Sequence, residues 1–353
     1  MKDAHKDILK RQEINQAQNA STSDRDVTFF TISDARFFPG SVGLINSLRL
    51  TGHDNNVVVL DCGLTQSQRK ILEPHCTLFE VPRELGGYAP YKYKAFPYML
   101  HPKGTVAIID SDILVTGALD PLIKLAQQGK ICVFPDPENE RWFEEWQELF
   151  ELSGSLRHQT YVNAGFVVFS ACHWFNLLER WWQSCERIFS HATIFDGAAW
   201  DTPLSQSDQD ALNAVLMSEI PVGAIAFQPK ERYIFRQGDN FESVQISDVE
   251  KLTCISRGGP ALLLHWCMGP KPWESWLTVK RNDAYVQLLR RLLVGKDVAI
   301  KVPPKELPIW LKPGALGHVS FYGFSVYNLA KPNIFSAKLR ARRILKKTIA
   351  RLH

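Results

Sequence analysis

The stretch TVAIIDSDILV, residues 105–115, sets a run of β-branched and aliphatic residues directly against two carboxylates, Asp110 and Asp112. A short apolar run of this kind reads as a buried strand. In an open α/β sheet, groups at the carboxyl end of a central strand project into the crevice where such folds bind ligands. Two carboxylates two positions apart can share one hard divalent cation, which can in turn neutralise a diphosphate. The Asp-x-Asp pattern alone is weak, because it recurs at Asp24/Asp26 and at Asp208/Asp210. Only the pair at Asp110 and Asp112 ends a buried-strand pattern, so context selects it.

Before this strand, VTFFTIS (27–33), NVVVLDCG (56–63) and CTLFEVP (76–82) have the same character, and the segments between these four runs have helical length and apolar spacing. ICVFPD (131–136) follows them. Such alternation predicts crossover connections and a largely parallel sheet covered on both faces. Asp120-Pro121 predicts an N-cap and first-turn pair for a helix leading to Gly129. After Glu138 the pattern is mixed: a Trp- and Glu-rich helix (RWFEEWQELFEL), a strand (YVNAGFVVFS), a long helix holding Trp174, Trp181 and Trp182, a helix at SQSDQDALNAVLMSE, and short strands around VGAIAFQ and ALLLHW. This half continues the same domain. The chain thus divides into a polar extension (1–26), one α/β domain (27–295), a Pro/Gly-rich segment (296–330) and a basic tail (331–353).

With 353 residues, 45% of them hydrophobic and 22% charged, the chain can bury a sizeable core. It contains no apolar run long enough for a transmembrane helix, and its first twenty residues are too polar for a secretory signal, so a cytoplasmic protein is expected. Seven cysteines without any C-x-x-C pair read as reduced core thiols. The net charge of +4 hides an asymmetry, for the last 23 residues carry eight basic side chains and no acidic one. In IFSAKLRARRILKKTIARLH, Ile334, Ala337, Ala341, Ile344, Leu345, Ile349 and Leu352 fall at helical intervals opposite the basic residues. This is either a cationic amphipathic helix suited to an anionic membrane surface, peripheral at its inner face, or a terminal helix docked with a solvated basic face. A nucleic-acid role is not expected, because no recognition fold accompanies the tail.

Five segments carry a more specific signal. TFFTISDARFFPGSVGLINSLR holds Asp34 and Phe37; YKYKAF places Lys94 sixteen positions before Asp110; IIDSDILV holds Asp110 and Asp112; YVNAGFVVF holds Asn163 and is followed by SDQDALN with Asp208 and Gln209; LLHWCMGPKPW holds His265 and, six positions later, Lys271. Each has a plainer reading. Asp34 and Asp208 could be helix N-caps, Phe37 a core residue, Lys94 a solvated lysine replaceable by Lys92, and Asn163 a satisfied strand end. In matching order from about Val27 to about Trp273, however, the set resembles glycosyltransferase family 8, the retaining GT-A enzymes that include glycogenin and bacterial lipopolysaccharide galactosyltransferases.

The resemblance implies a Rossmann-like nucleotide-binding sheet within a mixed central sheet flanked by helices, with the amphipathic tail appended. It implies that Asp34 and Phe37 hold the base, that Lys94 contacts the donor, and that Asp110 and Asp112 with His265 bind the metal, Asp110 also reaching the ribose. Asn163 and Asp208 would face the donor sugar, Gln209 would lie near the anomeric carbon, and Lys271 would grip the phosphate. Arg36 and Phe37 stand where many relatives have Asn and Tyr, and Gly269 lies four positions after His265 instead of the usual three. Two carboxylates and a neutral imidazole suit Mn2+, with Mg2+ as a substitute. The implied reaction moves a hexose from a UDP-sugar, UDP-glucose or UDP-galactose foremost, to a glycan or lipid-linked acceptor. The rivals are a catalytically inactive GT-A-like scaffold and a sugar nucleotidyltransferase, although TISDARFFPG is not the Gly-rich basic loop that the latter carries after its first strand.

Overall fold

Thirteen strands and seven α-helices are distributed along the residues described by the computed structural model, which are 26–82, 89–236, 240–267, 269–274, 279–280, 282–312 and isolated positions up to 323. The extension before Asp26 and the basic tail lie outside the described residues. In chain order the strands are β1 (Val27–Ser33), β2 (Asn56–Asp61), β3 (Thr77–Glu80), β4 (Thr105–Ile109), β5 (Ile113–Val115), β6 (Ile131–Pro135), β7 (Val162–Ser170), β8 (Ile225–Phe227), β9 (Tyr233–Phe235), β10 (Gln245–Asp248), β11 (Thr253–Ser256), β12 (Gly259–Ala261) and β13 (Leu263–His265). The α-helices are α1 (Phe38–Leu50), α2 (Gln66–Leu72), α3 (Asp120–Gln127), α4 (Trp146–Leu149), α5 (Leu177–Glu186), α6 (Asp208–Ser218) and α7 (Ala284–Val294).

Seven strands form a central sheet in the order β3-β2-β1-β4-β7-β6-β8. The pairs among β3, β2, β1 and β4 are parallel, β7 runs antiparallel to both β4 and β6, and β8 is parallel to β6. Successive residues serve opposite faces. Phe29, Val57, Val59, Ala107 and Ile109 join one core with α1, α3 and α7, while Phe30, Val58, Leu60, Val106 and Ile108 join the other with α5 and α6. Burial on both faces explains why these strands read as continuous apolar runs without alternation.

Three local readings differ from the structure. The segment between β3 and β4 forms 3-10 turns at Pro90–Tyr93 and Phe96–Leu100, because Pro97 cannot continue an α-helix begun at Pro90. RWFEEWQELFEL yields only the single turn α4, which stops where Glu151 takes a left-handed backbone. Asp120 is the first residue of α3, not its cap; Leu119 holds the cap position and its N–H donates to Nε2 of His53 at 2.9 Å.

Two contacts seat α1, one of them against the site. A Cβ on Gly40 would lie 2.5 Å from the Ser111 carbonyl oxygen and 2.7 Å from the Trp273 ring, so the first turn of α1 meets the Asp110–Asp112 turn at backbone distance. Buried Asn46 donates to the carbonyls of Leu292 (2.8 Å) and Ile300 (3.1 Å) and accepts the Ile300 N–H (2.8 Å), fastening residues 296–312 beside α7. Substituting Gly40→Ala forces backbone apart and should cost about 1–3 kcal/mol. At Gly43 the added methyl meets only the side-chain methyls of Leu289 and Leu114, so Gly43→Ala should cost less. Thermal unfolding of both variants checks this, and a Gly40→Ala protein as stable as the parent would contradict the close approach.

Candidate active site

β4 delivers Asp110 to the carboxyl edge of the sheet, where its N–H donates to the Gly165 carbonyl of β7 at 2.9 Å. A tight turn follows, with Ile113 N–H on the Asp110 carbonyl, and the chain enters β5. β5 then pairs antiparallel with β13 in the register His265↔Ile113, Leu264↔Leu114 and Leu263↔Val115. That register sets His265 next to Asp112, and Trp266 N–H donates to the Asp112 carbonyl at 3.1 Å. One ligand atom from each of Asp110, Asp112 and His265 lies within 4.8 Å of the others. Nε2 of His265 is 3.2 Å from Asp112 and 3.6 Å from Asp110.

Two lysines balance the carboxylates. Nζ of Lys94 lies 3.0 Å from both Asp110 and Asp208, and Nζ of Lys271 lies 2.5 Å from Asp112 and also donates to the Trp266 carbonyl. Burial by itself would raise the Asp112 carboxyl, but Lys271 and His265 outweigh it and hold the group well below the usual carboxylate range. Burial pushes Asp208 up to about 6 against the pull of Lys94. Burial would likewise lower Lys94, yet Asp110 and Asp208 keep its ammonium above the ordinary lysine value. Lys92 turns elsewhere, donating to the Phe189 carbonyl at 2.8 Å, so Lys94 is the lysine that serves the site.

A chain of hydrogen bonds orients the remaining groups. Tyr233 Oη lies 2.7 Å from His265 Nδ1 and donates to Asn163 Oδ1 at 3.2 Å; Asn163 Nδ2 and Gln209 Nε2 both donate to Asp136, at 2.8 and 3.1 Å. Gln209 Oε1 accepts the Ala164 N–H at 3.0 Å, so both ends of its amide are fixed. Nδ1 of His265 is engaged by Tyr233, so Nε2 is the ring nitrogen that faces the two carboxylates. An imidazole oriented through one nitrogen and open at the other is the arrangement a metal-ligating histidine takes. The group whose ligand atoms converge is two carboxylates and one imidazole, a donor set that fits a hard or borderline cation.

These residues wall a cavity of about 600 Å³. All ten side chains singled out from the sequence reach it: Asp34 and Phe37 from the β1–α1 loop, Lys94 from the 3-10 segment, Asp110 and Asp112 from the β4–β5 turn, Asn163 from β7, Asp208 and Gln209 from the start of α6, and His265 and Lys271 from β13 and its following loop. Asp34 accepts the N–H groups of Arg36 and Phe37, both at 2.9 Å, and so shapes the loop ahead of α1. Asp208 caps nothing: Ser207 holds the cap position and the Asp208 carboxylate turns to Lys94.

No family model matches the chain. Lipopolysaccharide glucosyltransferase WaaO of Escherichia coli (strain K12) is 18% identical over 188 residues, covering 53% of this chain and 49% of its own length, so the match spans about half of that relative. Among solved structures, galactosyltransferase LgtC in complex with donor and acceptor sugar analogues aligns with a TM-score of 0.50 at 17% identity, covering 79% of this chain and 98% of that one. The bifunctional glycosyltransferase WbbM aligns with a TM-score of 0.53 at 17% identity, covering 79% of this chain and 51% of that one. The chain has the GT-A fold of these glycosyltransferases.

Within this GT-A fold, two residues of the site escape the motif reading. Asp136 ends β6 much as Asp110 ends β4, and the strand-end rule that selects Asp110 would also have found it. Tyr233 sits in a three-residue strand with no distinguishing pattern, and only the parallel pairing of β9 with β13, Phe235 opposite His265, brings it to the imidazole. Gly165 leaves room for both groups, because a Cβ there would lie 2.7 Å from His265 and 2.8 Å from both Asn163 and Tyr233. Gly165→Ala should therefore displace the imidazole and weaken divalent-cation affinity by about 10- to 100-fold. Calorimetric titration with Mn2+ checks this, and undiminished affinity would contradict the packing.

Proposed function

We propose that this chain is a metal-dependent glycosyltransferase that moves a hexose from a UDP-sugar to a glycan or lipid-linked acceptor. The observation that carries the reading is the convergence of Asp110, Asp112 and His265 at the wall of a cavity that also receives Lys94, Asp208 and Lys271. Its volume lies within the usual range for sites that enclose a small organic ligand. The names of the similar proteins support the same class, since WaaO is a lipopolysaccharide glucosyltransferase and LgtC was crystallised with donor and acceptor sugar analogues. UDP-glucose and UDP-galactose are the favoured donors, and a surface glycan the favoured acceptor.

Mn2+ or Mg2+, held by Asp110, Asp112 and His265, would supply Lewis-acid neutralisation of the donor diphosphate. Lys271, paired with Asp112 at the wall of the same cavity, would be placed to meet a phosphate oxygen and stabilise the charge growing on the departing nucleotide. Asp34 and Phe37 would take the base and Asp110 the ribose. Asp208 would accept hydrogen bonds from sugar hydroxyls, held in place by Lys94, with Asn163 beside it. Retention of the anomeric configuration is proposed through attack from the face that the diphosphate leaves. Gln209, its amide fixed by Ala164 and Asp136, would lend polar support to an oxocarbenium-like centre; a neutral amide is a poor covalent nucleophile.

Two experiments test this reading. Thermal shifts with UDP, with and without Mn2+, should show manganese-dependent stabilisation in the parent and none in Asp112→Asn, whose transfer rate should fall about a hundredfold or more. An unchanged shift would remove the metal assignment. Slow Mn2+-dependent hydrolysis of a UDP-hexose would exclude an inert scaffold, whereas pyrophosphate-dependent exchange would favour a nucleotidyltransferase.

A further experiment follows pH. The Asp208 carboxyl is raised to about 6, so the folded protein binds that proton more readily than the unfolded chain. Its contribution to stability is present at low pH and is lost as pH rises through about 6, while its ability to accept hydroxyl hydrogen bonds beside Lys94 runs the opposite way. Donor affinity should therefore weaken as pH falls through about 6 without loss of fold, and Asp208→Asn should flatten that limb. A profile with the same limb in the variant would assign the titration to another group.

A further inference from the structure

Beyond Asp136 the wall of the cavity continues outward into a second, shallower cleft of about 530 Å³, and Pro137, Glu138 and Trp200 line both. Its two sides come from distant parts of the chain, the segment after β6 and the segment before α6. Arg141 joins them. Its guanidinium donates to the Trp200 carbonyl (2.6 Å), the Thr202 carbonyl (2.6 Å), Ser205 Oγ (2.9 Å) and both oxygens of Asp210 (2.7 and 2.8 Å). Asp210 is itself buried and accepts from Tyr161 at 2.7 Å, and Trp146 donates to the Pro203 carbonyl at 2.6 Å. Asp210 lies one residue from Gln209, so the outer cleft and the start of α6 share one fastening.

The consequence for Trp200 is unusual. Its backbone is clamped by Arg141 and its indole N–H donates to Glu138 Oε2 at 3.0 Å, yet the residue remains 40% exposed at the junction of the two cavities. A large aromatic face held in one orientation but left open to solvent loses little further freedom when a ligand covers it. The apolar C–H face of a pyranose suits such a ring, while the carboxylates of Glu138 and Glu140 beside it can accept from sugar hydroxyls. Among the described residues the cleft has no lysine on its wall, and its one guanidinium is already engaged by carboxylate, carbonyl and hydroxyl oxygens, so a phosphate is a poor fit.

We infer that the cleft at Trp200, Glu138 and Glu140 is a saccharide subsite that holds a second pyranose of the acceptor, one or more units away from the hydroxyl that reacts. The inference rests on the glycosyltransferase reading for what happens in the inner cavity, but not for the binding itself. It makes the enzyme a selector of acceptor length: oligosaccharides that span both cavities bind better than monosaccharides that occupy the inner one alone.

The test uses the full chain labelled with 5-fluorotryptophan, Trp200 being assigned through Trp200→Phe, and titrated with glucose, galactose, maltose, lactose and maltotriose in the presence of Mn2+ and UDP. The Trp200 signal should move with a di- or trisaccharide at concentrations where monosaccharides leave it in place. Trp200→Ala should weaken oligosaccharide affinity by about three- to tenfold, Trp200→Phe should retain most of it, and Phe175→Ala, an exposed aromatic outside both cavities, should leave it unchanged. If none of these saccharides moves the Trp200 signal, or if the length preference persists in Trp200→Ala, the subsite is refuted. Repeating the titration without UDP and Mn2+ separates the two readings. A Trp200 response without any UDP-dependent stabilisation refutes the donor assignment and keeps the subsite, whereas UDP binding without a Trp200 response does the reverse.

Discussion

The antiparallel pairing of β5 with β13 is the contact on which the site depends. Asp110 and Asp112 are local to one turn, but His265 lies more than a hundred positions away, and only backbone hydrogen bonds between two three-residue strands bring it to them. Strands so short hold register weakly by themselves. Here register is reinforced from outside the pair: Tyr285 of α7 donates to the Asp112 carbonyl at 2.9 Å, Trp266 N–H binds the same carbonyl, and β9 flanks β13 on its other edge. A slip of one residue would turn the imidazole to the opposite face, so α7 helps set how Asp110, Asp112 and His265 converge although it supplies none of the three.

The charges form a second layer of the same argument. Asp110, Asp112, Asp136 and Asp208 share one cavity, and four carboxylates so close together cannot remain ionised without compensation. Lys94 answers Asp110 and Asp208, Lys271 answers Asp112, and the Asn163 and Gln209 amides answer Asp136. The arrangement is balanced but not saturated: Asp208 is still pushed up to about 6, which marks it as the carboxylate whose charge is least well supported. The proposed function needs such pairing, because a dication and a diphosphate bring charges of both signs and each could replace one partner of an existing ion pair.

The sequence and the structure agree where physics is local. Strands buried on both faces announce themselves as apolar runs, and β1, β2, β4, β6 and β7 lie where those runs predict. The carboxyl-end rule places Asp110 and Asp112 before any contact is known. Agreement fails where distant partners decide. RWFEEWQELFEL has helical composition, but Arg141 is drawn to Asp210 and only one turn of helix survives. Asp208 has the look of an N-cap, yet Lys94 captures its carboxylate. Tyr233 has no signal of its own, since its part in orienting His265 comes entirely from the order of a three-strand sheet.

Asp210 shows most clearly why spacing alone misleads. It completes a second Asp-x-Asp with Asp208, identical in pattern to the first, but the two pairs sit on different backbones. After a strand, Asp110 and Asp112 flank a tight turn and converge on one point. On the first turn of a helix, residues two apart project about 200° around the axis from each other, so Asp208 faces the cavity while Asp210 points into the protein. There it is fully buried and spent on Arg141 and Tyr161. The same two letters therefore make a candidate cation site in one case and a structural fastening in the other, and the fastening ties the start of α6, next to Gln209, to the outer cleft.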